Sequence, residues 1–347
     1  VKVALVYDPI YLEHQTGAHV ENPQRLTTTM SLLEETRLKN RILLLLPRPA
    51  TVEELSLVHA LEYISYVRNR AQKGGGWLDA DTVISSASYE VALYAAGGAL
   101  QAVEAVMTNQ ADSAFAMVRP PGHHATCWQA MGFCLFNNIA VAARFVLSNF
   151  DNIKRILIVD FDVHHGNGTQ DTFYTDPRVL YFSIHQYPLY PGTGSINEIG
   201  SGNGEGTTVN VPLLAGWGDD EYLQVFQEVL VPVAERYQPQ LILVSAGYDA
   251  HWADSIALMQ VSVSGFAGMV RVLKNLATKL CLGRLIFALE GGYHHQALAS
   301  SIVATLEVLL DSRQITDPLG SQQKLRKPLG FGNFLKLVKE THHLKAW

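Results

Sequence analysis

The stretch Ile156-Leu157-Ile158-Val159-Asp160-Phe161-Asp162-Val163-His164-His165-Gly166-Asn167-Gly168 decides how this chain is read. Its first four residues are continuously aliphatic, as in a strand covered on both faces. Two carboxylates and two imidazoles then fall within six residues, where a buried strand should end. Burying that much ionisable chemistry is costly unless something binds there. Asp162 and His164 are two apart, so in extended backbone their side chains leave on the same side. That placement suits one carboxylate oxygen and one imidazole nitrogen sharing a cation.

The same grammar recurs along the chain. Strands are predicted at Val3–Tyr7, Ser113–Val118, Arg155–Asp160, Val179–Ile184, Leu241–Ser245 and Arg284–Leu289. Helical apolar spacing fills 88–108, 219–236, 264–280 and 295–310. Pro23 suits a first helical position after Asn22, and Thr51-x-x-Glu54 reads as a capping box. The alternation predicts one α/β domain over 1–347, with a mainly parallel central sheet and helices on both faces. No internal repeat or low-complexity linker marks a boundary. The more polar segment 312–347 is expected to wrap the surface.

Bulk properties narrow the function classes. Of 347 residues, 48% are hydrophobic and 17% charged, enough for a sizeable core and little for disorder. A net charge of −6 gives no electrostatic footprint for direct nucleic-acid binding. No run approaches the ~20 apolar residues of a membrane span, so no membrane partner is expected. Cys127, Cys134 and Cys281 form no CxxC pair and no disulfide framework, which favours a reducing, cytoplasmic compartment. The chain opens on Val1 rather than Met, which leaves open an organelle reached after removal of a transit peptide. A homo-oligomer also stays open.

In open α/β sheets, ligands collect outside the carboxyl ends of the strands. Four polar clusters fall there: Arg119-Pro120-Pro121-Gly122-His123-His124, the Asp160 cluster, Ala246-Gly247-Tyr248-Asp249, and Glu290-Gly291-Gly292-Tyr293-His294. A catalytic zinc takes three protein ligands and leaves a position open, and Asp162, His164 and Asp249 make such a set. Taken singly, Asp162 and His164 can cap the following helix while Asp249 is a loop acid. His123-His124 supplies acid–base capacity near neutral pH, with Asp160 and Asn167 as natural partners for the far ring nitrogens. As an isolated pair they can equally be packed histidines. Tyr293 follows two glycines that let its phenol swing toward a ligand as an oxyanion donor, or it is a turn residue. Gly132-Phe133 and Leu189-Tyr190-Pro191-Gly192 offer aromatic walls or ordinary packing.

These loops resemble the zinc-dependent histone deacetylase family, within the arginase/deacetylase fold. The carrying motifs are RPPGHHA at 119–125, GFCLFNN at 132–138, DFDVHHGNGTQ at 160–170, YPGTG at 190–194, SAGYDAH at 245–251 and EGGYH at 290–294. His14 and HVENPQRL at 19–26 resemble the family's N-terminal loop, and the likeness spans about residues 3–310. RPPGHHA and Asn167 point to the class II-like branch with its bacterial deacetylase and acetylpolyamine amidohydrolase relatives.

The resemblance implies a mainly parallel sheet of about eight strands between helices. It implies one Zn2+ per chain on Asp162, His164 and Asp249, although the same donors accept Fe(II) or Co(II). It makes His124 the general base and acid, His123 its electrostatic partner on Asp160, and Tyr293 the oxyanion donor. Gly132, Phe133 and Tyr190 match the acyl-lysine tunnel. A structural K+ is implied near Asp160, Asp162, His164 and Ser183, with a further position near Phe173 and Val179. The implied activity is hydrolysis of an acetylated lysine peptide or protein, or of a small acylated amine, releasing acetate. Ile256 stands where acetylpolyamine-selective relatives carry an acidic gatekeeper, which favours acetyl-lysine. Arginase-like chemistry needs a second metal, and Ser245-Ala246-Gly247-Tyr248-Asp249 offers one aspartate. A non-catalytic acyl-lysine binder is the remaining alternative, and the complete polar set argues against it.

Overall fold

Asp160 ends its strand level with Ser183 on one side and Ser245 on the other, and this register builds the floor of the molecule's polar centre. The structure, a computed structural model, describes residues 1–312 and 314–344. Its main sheet contains β1 (Val3–Val6), β2 (Leu43–Leu45), β5 (Ser113–Ala116), β6 (Ile156–Asp160), β7 (Val179–Gln186), β8 (Thr208–Leu213), β9 (Leu241–Ala246) and β10 (Leu285–Leu289). The order is β2-β1-β5-β10-β9-β6-β7-β8, and every neighbouring pair is parallel. β3 (Gly76–Trp77) and β4 (Val83–Ile84) form a separate antiparallel ribbon.

The six predicted strands are all present. The central ones are wholly buried, which is why their sequences run apolar without alternating. The two that sequence reading passes over are the sheet's edges. β2 lies among prolines with Leu43 and Leu44 exposed, and β8 carries Pro212, which only an edge tolerates easily.

Helices cover the sheet. α4 (Ser88–Met107) packs against α5 (Asn138–Asn149), while α1 (Gln24–Glu35), α9 (Val263–Leu280) and α10 (His295–Leu309) pack together as a second group. Asn22 Oδ1 accepts from Gln24 N at 3.0 Å, and Pro23 already has helical φ, so the predicted start holds. At α2 (Val52–Leu55) the capping box is complete: Thr51 Oγ1 accepts from Glu54 N, and Glu54 Oε2 from Thr51 N. α3 (Leu61–Gln72) and α6 (Asn167–Phe173) complete the layers around the His loop.

Two expectations need correction. The segment read as one helix over 219–236 is α7 (Asp219–Val225), a π-helical turn at Phe226–Leu230, and α8 (Val231–Tyr237). Pro232 lacks the N–H that a continuous α-helix would place on residue 228. The segment after 312 is more than a surface wrap, because α11 (Phe331–Thr341) buries Leu335 and Val338. Phe331 and Phe334 pack on buried Trp217 at 5.1 and 5.5 Å, and Trp217 Nε1 donates to Pro328 O. Among the described residues, no helix is long and apolar enough to cross a membrane.

Candidate active site

The register brings the four predicted loops to one place. Beyond β6, the chain turns so that His164 Nδ1 lies 3.1 Å from Asp162 Oδ1 and 3.2 Å from Asp249 Oδ2. Ligand atoms of all three residues fall within 4.8 Å of one another, and all three residues are buried. Backbone donors hold the outer carboxylate oxygens: Gly291 N reaches Asp162 Oδ2 at 2.8 Å, and Val163 N reaches Asp249 Oδ1 at 2.9 Å. Gly247 and Gly291 are required here, since a Cβ on either would come within 2.0 and 2.2 Å of Asp162 Oδ2 and Asp249 Oδ2.

These residues fit a zinc ion. Asp249 Oδ2 is buried without a hydrogen-bond donor, an arrangement that costs free energy unless a cation supplies the missing partner. Burial raises the Asp249 carboxyl to about 6, with the Asp162 charge adding to it. Burial pulls the His164 ring down, but the Asp162 and Asp249 carboxylates beside it outweigh burial and raise the ring to about 10. The negative potential that draws a proton to this ring draws a metal cation equally. Two carboxylates and one imidazole are a sound donor set for a catalytic zinc with a position left over.

The histidine pair divides as the sequence predicts. His123 Nδ1 lies 3.0 Å from Asp160 Oδ2, and His124 Nδ1 lies 2.8 Å from Asn167 Oδ1. Burial lowers the His123 ring, yet Asp160, Asp162 and Glu290 raise it to about 10. His124 goes well below the ordinary histidine value, first through burial and then through repulsion from His123 and His164. Asn167 Nδ2 points to His124 O and the Met131 sulfur, so its oxygen is the atom that faces the ring. His124 Nδ1 therefore carries the hydrogen, and Nε2 is left as a base.

A cavity of about 190 Å³ opens on His124, lined also by Gly132, Phe133, His164, Leu189, Tyr190, Ile256 and Asp81. All four predicted wall residues, Gly132, Phe133, Tyr190 and Ile256, are in it. Gly132 has φ 55°, and a Cβ there would meet His124 Cδ2 at 2.3 Å. Phe133 itself sits in the left-handed region at φ 68°, held by its N–H on Thr82 Oγ1. Its ring meets Tyr293 edge-on at 5.7 Å and His19 at 4.5 Å. Burial raises the Tyr293 phenol well above its ordinary value, and the nearby Asp249 and Asp162 charges raise it further, so it stays a proton donor.

Sequence reasoning missed Asp81, whose contribution depends on loop placement. Asp81 sits in the turn of the β3–β4 ribbon, and an acid in a turn is common enough to carry no signal. His165 is structural, bonded to Thr193 Oγ1 at 2.7 Å and Gln170 Oε1 at 3.0 Å. At the suggested potassium positions, Ser183 pairs in register with Asp160, and its hydroxyl meets His185 Nδ1 at 2.9 Å. Phe173 closes α6 with the Arg144 guanidinium over its ring at 4.6 Å, and Val179 opens β7.

Known proteins resemble this chain in sequence and fold. A probable deacetylase of Archaeoglobus fulgidus is 44% identical over 292 residues, spanning 83% of this chain and 80% of its own. A histone deacetylase-like amidohydrolase of Pseudomonas aeruginosa is 39% identical over 90% of this chain and 82% of its own. The crystal structure of the HDA15 HD domain superposes with a TM-score of 0.89 at 34% identity, over 98% of this chain and 94% of that one. The histone deacetylase domain model matches residues 19–309, from the His19 loop through the end of α10 and therefore across all four site loops. The chain belongs to the histone deacetylase family.

Proposed function

We propose that the protein is a zinc-dependent amidohydrolase that removes acetyl or related acyl groups from lysine side chains. The observation that carries this reading is His124, fixed through Nδ1 on Asn167 and lining the same cavity as the metal-ligand candidate His164. Asp162, His164 and Asp249 would hold the ion, which when bound polarises the acyl carbonyl and acidifies a water. His124 Nε2 takes the proton of the attacking water and returns it to the leaving amine. His123, kept charged by Asp160, supports negative charge that develops beside it. The Tyr293 phenol donates to the developing oxyanion. Phe133 and Tyr190 line the acyl chain, and Gly132 keeps the wall thin where the chain passes His124. A potassium ion near Asp160 and Ser183 would offset the buried carboxylates behind the site.

His124→Ala and Tyr293→Phe are each expected to lower kcat by a factor on the order of 10² or more, with zinc content and melting temperature retained. Near wild-type turnover by either zinc-replete variant refutes the assignment. A second reading, acetylpolyamine hydrolysis, has one observation in its favour, the Asp81 carboxylate on the cavity wall. Ile256 on the same wall opposes it, so acetyl-lysine is the substrate assigned. A higher kcat/KM on N-acetylputrescine than on an acetyl-lysine peptide reverses that choice.

A further inference from the structure

We propose that Asp254 is the positioning residue for Tyr293, and that its single carboxylate couples the oxyanion donor to the cavity wall at Ile256. The proposal rests on the reading of Tyr293 as oxyanion donor. Asp254 is buried, and both its oxygens are committed. Oδ2 accepts from two consecutive backbone donors, Tyr293 N at 2.6 Å and His294 N at 2.9 Å. Oδ1 accepts from Ile256 N at 3.2 Å.

Both partners need such a clamp. Tyr293 follows Gly291 and Gly292, and Gly292 has φ 119°, so the backbone before the tyrosine lies where side-chain-bearing residues rarely go. The phenol's position then depends on what fixes the backbone after the glycines. His294 is the N-cap of α10, its Nδ1 accepting from Ala297 N at 3.2 Å, so the far end of the turn is rigid. Asp254 holds the point between the flexible glycines and the rigid helix.

The clamp is itself braced. The loop that carries it is closed at its base by the His251–Val261 bridge, and Trp252 Nε1 donates to Gly320 O at 2.7 Å. Asp254 N donates to His251 O at 2.9 Å. The Asp254 charge also bears on Asp249, which the zinc measurement below monitors. Asp254 does not line the cavity and makes no hydrogen bond to the metal-ligand atoms, so its bonded contacts reach the reaction through Tyr293 and Ile256. A shift in one of these two is therefore felt by the other, which joins recognition of the acyl chain to placement of the oxyanion donor.

A double-mutant cycle tests this. Asp254→Ala is expected to lower kcat on the order of 10- to 100-fold in the wild-type background, since small displacements of a catalytic group cost that much. In the Tyr293→Phe background, the same substitution should change kcat by less than about 3-fold, because its target is already gone. Asp254→Asn keeps one oxygen for the Tyr293 and His294 donors and turns its amide toward Ile256 N. It should hold kcat within about 5-fold of wild type while KM rises. Zinc stoichiometry should be unchanged in all variants. If Asp254→Ala does not fold, Asp254→Ser, too short to reach all three donors, carries the same cycle. Equal fold-losses in the two backgrounds, or loss of zinc accounting for the activity, overturn the proposal while leaving Tyr293 in its role. Near wild-type turnover of Tyr293→Phe instead removes the oxyanion reading, and the proposal with it.

Discussion

Glu21 offers a prediction whose size can be worked from its surroundings. It is buried, and its Oε1 accepts from Arg25 Nη1 at 3.0 Å and Arg119 Nε at 2.5 Å. Both arginines are also buried, and their remaining donors hold backbone carbonyls around the site. Arg119 reaches Tyr11 O and His14 O, and Arg25 reaches Gly292 O and Glu290 O. Glu21→Ala leaves two buried guanidinium groups without their carboxylate. Breaking a buried ion pair from one side costs roughly 3–5 kcal/mol, a large part of the roughly 5–15 kcal/mol that holds a domain together.

The same residue has a pH signature. Burial by itself raises the Glu21 carboxyl, but Arg119, Arg25 and His14 outweigh it and lower the group from 4.5 to about 2. At about 1.36 kcal/mol per pKa unit, the lowering corresponds to about 3 kcal/mol. A carboxyl lowered by folding stabilises the protein above its unfolded value, and the contribution disappears as pH falls toward the folded one. The advantage of wild type over Glu21→Gln should thus be full above about pH 4.5 and shrink toward about pH 2. His14 titrates in a different window: burial lowers it from 6.5 to about 4 against the opposing pull of the Glu21 charge, so its acid destabilisation begins at higher pH and is larger in Glu21→Gln, which lacks that charge. Urea unfolding of wild type, Glu21→Ala and Glu21→Gln across this range measures each contribution. A Glu21→Ala protein within about 1 kcal/mol of wild type at neutral pH, or a pH-independent difference from Glu21→Gln, refutes the reasoning.

Three further outcomes follow from named contacts. Ile256→Glu places a carboxylate on the cavity wall with Asp81 and should move the kcat/KM ratio about tenfold toward N-acetylputrescine over an acetyl-lysine peptide; an unchanged ratio removes Ile256 as a selector. Gly247→Ala puts a Cβ 2.0 Å from the place of Asp162 Oδ2, so metal analysis should show substoichiometric zinc in a folded protein, and full loading contradicts the ligand set. Trp217→Ala removes the seat of Phe331 and Phe334 and should cost roughly 3–5 kcal/mol in urea unfolding, while a loss near zero means that α11 is dispensable to the core.

The central strands were legible because each is buried on both faces and so carries a run of apolar residues, as Ile156–Val159 and Leu241–Val244 do. β2 and β8 were not, since an edge strand needs only one covered side and tolerates prolines that sequence patterns count against it. The metal-ligand candidates and the two histidine partners were legible for a different reason. The parallel register places all strand ends at one level, so polar residues just after apolar runs must converge. Asp81 enters the cavity from a loop whose path no local pattern encodes. The Asp254 clamp was not legible, because its partners Tyr293 and His294 are remote in sequence.

The two imidazoles of the pair differ by one atom in their partners, and that difference separates their chemistry. A carboxylate behind His123 stabilises the charged ring, so His123 keeps its proton as charge shifts around it. A carboxamide behind His124 fixes ring orientation and tautomer equally well but adds no charge, so burial prevails and the ring stays neutral. Asp160 and Asn167 come from the same short segment that supplies Asp162 and His164. The spacing that first marks a cation site also places a charged brace behind one histidine and a neutral brace behind the other. A site that only stored a metal would need the ligands alone. The unequal braces suit one ring that accepts and returns a proton beside another that holds its own, the roles proposed for His124 and His123.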